Sequence, residues 1–247
     1  MIVHTLIIGI IEGLTEFVPV SSTAHLLLTG TVLGMPHDAF LEALSISIQS
    51  GAIVAVIIYF WKFLWSHLRI IPKLVVGFIP TGIAGITLYP LIKSALGSTT
   101  IIALALILGG IGLILIKPID TDTAISDISY KQAFWIGVSQ ILAFVPGTSR
   151  AGATLIGGTL LGIPRQTIVS FSFLLAIPTI LGATVVEVRH VSGLSTHEWA
   201  LIGFGTLIAF ATALLSIRFF MNLMTRKPLS WFGWYRIIIG VLVLLFV

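Results

Sequence analysis

No polar stretch in this chain is long enough to fold as a soluble domain; apolar runs follow one another from end to end. Of 247 residues, 57% are hydrophobic and 9% charged, with a mean hydropathy of +1.14. A soluble domain carries about 25% charged residues. Too few polar groups are present to cover a surface in water, so the bilayer must be the solvent. One all-α, polytopic membrane domain over residues 1–247 is expected.

A membrane-crossing helix needs about 20 largely apolar residues. Six segments come close: 40–61, 73–94, 99–117, 166–188, 199–221 and 232–247. Trp231 and Trp234, near the start of the last, read as interfacial anchors. The net charge is +4 and the pI about 9.6. Nucleic acid is not the implied partner, because the Lys and Arg residues stand singly at the ends of apolar runs. There is no cysteine, so no disulfide or thiolate metal site can form. The first apolar run lacks a preceding basic region and a small-residue cleavage site, so no signal peptide is expected.

Two further apolar regions, 1–34 and 131–163, are each interrupted near the middle. The first break is Val18-Pro19-Val20-Ser21-Ser22-Thr23 and the second is Val145-Pro146-Gly147-Thr148-Ser149-Arg150. Proline removes a helical hydrogen bond and pushes the residue before it out of helical geometry. A hydroxyl residue just afterwards can cap a new helix. Each region therefore predicts helix, break, helix, with halves too short to cross separately. Two re-entrant hairpins are expected, since non-helical backbone at that depth must be buried in protein or line a wet cavity.

The two breaks align with each other at an offset of 127 residues. Phe17-Val18-Pro19 falls on Phe144-Val145-Pro146, Ser22 on Ser149, and Ser45 on Ser172. The polar linker 118–130 then divides two halves, 1–117 and 131–247, each with one hairpin followed by three spans. If residues 62–73 face the cytoplasm, so do 117–131, 164–165 and 218–236, and these stretches hold ten of the thirteen Lys and Arg residues. The hairpins would then enter from opposite sides, as an inverted repeat with its site where the broken helices meet.

Ionisable side chains at membrane depth are costly and usually functional, at roughly 3 kcal/mol each. Glu12, Glu16, His25 and Arg150 all fall in or beside the breaks. Glu12 and Glu16, four residues apart, share a helical face. Their repulsion calls for a nearby arginine or a divalent cation, and hard oxygen ligands suit Mg²⁺ or Ca²⁺. Ser21, Ser22 and Thr23 can cap a helix and still offer its N-terminus to a phosphate. A second such end starts near Thr148 and Ser149. A serine there is a candidate nucleophile, and His25 a candidate base or acid. The alternative for His25 is hydrogen-bonded packing. Arg150 requires an anion, either a glutamate in an ion pair or a phosphate in the guanidinium fork. Thr154, one turn on, adds a hydroxyl. Gln49 lies mid-span and either faces the site or bonds a neighbouring helix.

Residues 12–25, Glu12-Gly13-Leu14-Thr15-Glu16-Phe17-Val18-Pro19-Val20-Ser21-Ser22-Thr23-Ala24-His25, resemble the first signature of the undecaprenyl-diphosphate phosphatases, the bacitracin-resistance family. Pro146 through Thr154 resembles the second, and Asp127 through Phe134 also looks familial. The likeness extends over nearly the whole chain. It implies hydrolysis of a C55 or similar polyprenyl diphosphate to the monophosphate and phosphate, with a divalent cation and a site open to the extracytoplasmic face. Bacitracin resistance and recycling of a lipid carrier for cell-envelope synthesis are implied with it. Glu12 and Glu16 match the acidic pair, which would also ligate the metal. Ser22 matches the proposed nucleophile, His25 the motif histidine and Arg150 the phosphate-binding arginine. Ser149, Thr154 and Gln49 match polar positions lining the site. Ala24 stands where Gly is usual and Ala151 where Ser is usual; both are small and remove no essential group. Membrane lipids are expected partners, and homodimerisation is left open. The rival is a transporter or lipid flippase, because broken helices in inverted repeats are common there.

Overall fold

The computed structural model describes every residue except 37, 96, 97, 118, 120–123, 190 and 247, and the described chain is helical with no strand. The first half contains α1 (Ile2–Thr15), α2 (Ser22–Val32), α3 (Ala39–Ser66), α4 (Ile71–Thr87), α5 (Tyr89–Ala95) and α6 (Thr99–Leu115). The second contains α7 (Tyr130–Gln140), α8 (Arg150–Leu160), α9 (Arg165–Val188), α10 (Thr196–Arg226) and α11 (Ser230–Phe246). Within the linker, residues 118 and 120–123 lie outside the described set.

Side-chain caps open six of these helices, α2, α3, α6, α7, α8 and α10. Asp38 accepts from the Leu41 N–H at 3.0 Å and opens α3. Ser129 with Gln132, and Ser195 with Glu198, form reciprocal capping boxes at α7 and α10. The two breaks use the same device. Ser21 caps α2 and Ser149 caps α8, each accepting from the backbone N–H three residues on.

Four helices are long and apolar enough to cross a bilayer: α3, α4 with the short turn before it, α9 and α10. The apolar helices α6 and α11 have 17 residues each. The expected span 73–94 is corrected. Helix α4 stops at Thr87, and α5 begins at Tyr89 just before Pro90, a residue suited to a helix start. Large side chains such as Val32 and Leu215 are more than four-fifths exposed. In water such a surface would drive aggregation; in lipid it is the normal outer face.

Helix contacts repeat at the 127-residue offset. Gly9 and Gly13 seat α1 against α10, and Gly137 seats α7 against α4. Helices α6 and α11 pack through Gly110 on Gly233, and through Gly240 on Ala103. Small residues of this kind let helix backbones approach closely. A Cβ on Gly137 would lie 2.0 Å from the Gly77 carbonyl oxygen, which has no side chain to rotate away. Gly137→Ala is therefore expected to destabilise by at least ~1–3 kcal/mol, measured as a fall in Tm of the detergent-solubilised protein.

Candidate active site

The two breaks meet inside the bundle. Ser149 Oγ lies 3.5 Å from the Val18 carbonyl oxygen, and Phe17 stacks on Phe173 of α9 with ring centroids 5.1 Å apart. Helix α1 ends at Thr15, but Glu16 keeps helical torsions, and its N–H donates to the Glu12 carbonyl at 3.0 Å. Both carboxylates therefore stay on one helical face. Ser21 then takes φ +72°, a left-handed conformation rare for a non-glycine residue. Such strain at a buried turn often accompanies function. In the second break the same reversal falls on Gly147, at φ +92°, where a Cβ would lie 2.4 Å from the Ile102 carbonyl oxygen.

Glu16 is the hub. Its Oε2 accepts from Ser22 Oγ at 2.5 Å, and its Oε1 accepts from Arg150 Nη2 at 3.2 Å. Arg150 Nη1 donates to the Ser172 carbonyl at 3.1 Å, and its guanidinium stands 5.9 Å from the centre of the Phe17 ring. Thr154 Oγ1 lies 2.6 Å from Ser172 Oγ. Ser172 thus touches both the arginine and the threonine, and it is the residue that the 127-residue offset pairs with Ser45. Glu16, Ser22, Ser149, Thr154 and Ser172 are all buried.

Glu12 is wholly buried, and its carboxyl group has no side-chain partner but the carboxyl of Glu16. A buried carboxylate without a partner is strongly unfavourable unless something neutralises it. This one lies a single turn from Glu16, a second acid rather than a cation. Among the described residues no group of three His, Cys, Asp or Glu side chains gathers for a metal. Two carboxylates remain a fitting donor set for Mg²⁺, which commonly binds one or two carboxylates, water and substrate phosphate.

His25 points elsewhere. Its Nδ1 lies 2.8 Å from the Ser21 carbonyl oxygen, its Nε2 lies 2.6 Å from the Tyr235 hydroxyl, and the two rings stack. Both nitrogens are occupied, and neither contacts Ser22. The side chain that accepts the Ser22 hydroxyl is Glu16. Tyr235→Phe is accordingly expected to lower turnover by no more than roughly tenfold, well below the loss of a general base. A loss as large as that of Glu16→Gln in the same assay would contradict this placement. Thr23 and Gln49 are half-buried, and no hydrogen bond joins either side chain to the cluster.

Arg236 corrects the sequence reading, which counted it among the anchors of residues 218–236. It lies on α11 and is 1% exposed. Its Nε donates to Leu106 O at 3.3 Å and its Nη2 to Ala105 O at 3.0 Å. It also reaches both breaks, through Nη1 to Pro19 O and Nη2 to Gly147 O, each at 3.1 Å. One guanidinium therefore ties the two breaks to each other and to α6. The 127-residue offset places it on Gly109, and a Cβ there would come within 2.2 Å of Nη2.

The family model described as bacitracin resistance protein BacA matches residues 5–242. The chain belongs to that family. Similar curated proteins agree along their whole length. An undecaprenyl-diphosphatase of Aquifex aeolicus is 41% identical over 96% of this chain and 95% of its own. One from Wolinella succinogenes is 42% identical over 99% and 98%. One from Persephonella marina is 42% identical over 100% and 99%. Both breaks, the buried cluster and Arg236 all fall inside the region that matches the family.

Proposed function

We propose that this chain is an integral membrane phosphatase that hydrolyses undecaprenyl diphosphate, or a similar polyprenyl diphosphate, to the monophosphate and phosphate. The observation that carries this reading is the buried chain Ser22–Glu16–Arg150, made of a hydroxyl, its base and a phosphate-sized cation. Family membership and the names of the relatives point to the same chemistry. In the cell, the reaction regenerates a lipid carrier for envelope synthesis and lowers sensitivity to bacitracin.

Arg150 shifts its fork from Glu16 to the terminal phosphate, where bidentate bonding is strong. The N-termini of α2 and α8, capped by Ser21 and Ser149, present free N–H groups to the same anion. Relieved of the arginine, Glu16 takes the Ser22 proton. Ser22 Oγ forms a bond to the terminal phosphorus, and the bridging P–O bond breaks toward the polyprenyl monophosphate. Water then resolves the phosphoseryl ester to phosphate and free Ser22. Glu12 and Glu16 would hold the divalent cation, whose chemistry is to neutralise phosphate charge. Charge stabilisation supplies most of the rate in reactions of this type. A Ser22 that only orients an attacking water is the second reading, favoured by the freedom of Glu16 to serve either nucleophile.

The six spans, two re-entrant hairpins and inverted repeat belong to the same proposal. They are supported by the matched pairing of α1 with α10 and α7 with α4, and a site open to the extracytoplasmic face is what the family resemblance implies. Arg150→Lys is expected to raise KM at least ~10-fold, because an ammonium cannot form the fork.

Phosphate release by pure protein with Mg²⁺ or Ca²⁺ tests the function. Turnover supports it. No release, together with movement of the lipid across a reconstituted bilayer, would establish the transporter reading instead.

A further inference from the structure

A groove of about 710 Å³ opens on the far side of α9 from Arg150, between that helix, α10 and α3. Ser172 of α9 bonds Thr154 of α8, whereas Ser170, two residues earlier, lines this groove. Successive turns of one face of α10 bring Leu215, Arg218, Phe219, Asn222 and Arg226 to it, Gln166 lines it from α9, and no carboxylate lines it. It lies at the end of the bundle where α9 begins and α10 ends. That end also carries Arg165, whose Nη1 donates to the Lys227 carbonyl at 3.2 Å.

Arg218 and Arg226 are exposed and differ from the two arginines of the interior. Arg150 is paired with Glu16, and Arg236 is saturated by four carbonyls. Neither groove arginine makes a hydrogen bond or ion pair among the described residues. They are eight residues apart on α10, about 12 Å along the axis. Simple interfacial anchors need no shared recess. Here two guanidiniums without a partner among the described residues border one recess that also holds apolar side chains. Such a site suits an anion joined to a hydrocarbon chain, and arginine near an anionic lipid contributes about 1 kcal/mol.

We propose that this groove is a binding site for an anionic phospholipid, its phosphate held by Arg218 and Arg226 and a chain laid along Leu215 and Phe219. The site is separate from the hydrolytic cluster and does not depend on the reaction assigned to it.

Native mass spectrometry of delipidated protein in neutral detergent tests this, using phosphatidylglycerol and phosphatidylcholine with identical chains. Wild type is expected to prefer phosphatidylglycerol by roughly 10- to 30-fold. Arg218→Gln/Arg226→Gln should abolish the preference with Tm unchanged. Lys62→Gln/Arg69→Gln, at the same basic end but outside the groove, should keep it. No preference in wild type, its survival in the groove variant, or equal loss in the control variant would each overturn the proposal. So would full displacement of the lipid by inorganic phosphate, which would mark a site for the free anion.

Discussion

Replacing Glu16 by Gln is expected to lower kcat by roughly 10²–10⁴-fold, the range for a lost general base, while the protein still extracts and unfolds as a single species. The amide preserves shape and can still accept a hydrogen bond from Ser22, so packing is little disturbed. What disappears is the capacity to take the proton and the charge facing Arg150. Arg150 would then be free for phosphate, so KM should fall or stay level as kcat collapses. That split separates chemistry from binding. A Glu16→Gln protein that turns over near the wild-type rate would remove Glu16 from the role and return it to His25, despite the engagement of both ring nitrogens.

Arg236→Met is expected to lower stability by about 3–5 kcal/mol. Four carbonyls, on Ala105, Leu106, Pro19 and Gly147, would lose a charged donor in a buried place. An acceptor left without a partner there costs about 1–3 kcal/mol. The two breaks would also lose the cation that bonds a carbonyl of each, so Ser22 and Arg150 would lose registration. Arg236→Lys should recover part of the stability and little of the activity, since one ammonium cannot span both breaks. Thermal unfolding in detergent, read beside phosphate release, checks both expectations. Near-wild-type Tm and turnover in Arg236→Met would show that the breaks hold themselves together.

Much of this architecture was legible because the bilayer narrows the choices. Proline followed by a run of hydroxyl residues marks a broken helix at Pro19 and Pro146, where both breaks fall, whereas Pro80 and Pro178, each followed by a single threonine, stay inside α4 and α9. Glu16, Ser22 and Arg150 stood out as polar groups at costly depth, and the structure brings them together. His25 stood out equally, but spacing along a helix could not say that its ring turns toward Tyr235, 210 residues away. Ser172 was flagged only as a repeat position; its contacts with Arg150 and Thr154 are tertiary. Arg236 was hidden by its neighbours. It follows Arg226 and Lys227 closely enough to resemble another anchor, although α11 begins at Ser230. The signal lay in the repeat itself, which sets the long arginine opposite Gly109, the smallest residue.

The claim that Ser22 is the nucleophile, with Glu16 as its base, is tested most directly by single-turnover rapid quench. Polyprenyl diphosphate labelled in its terminal phosphate would be mixed with wild type and Ser22→Ala. Label appearing on Ser22 before free phosphate, and absent together with release in Ser22→Ala, is the predicted result. Release at the wild-type rate from Ser22→Ala, with no label on the protein at any time, would contradict it.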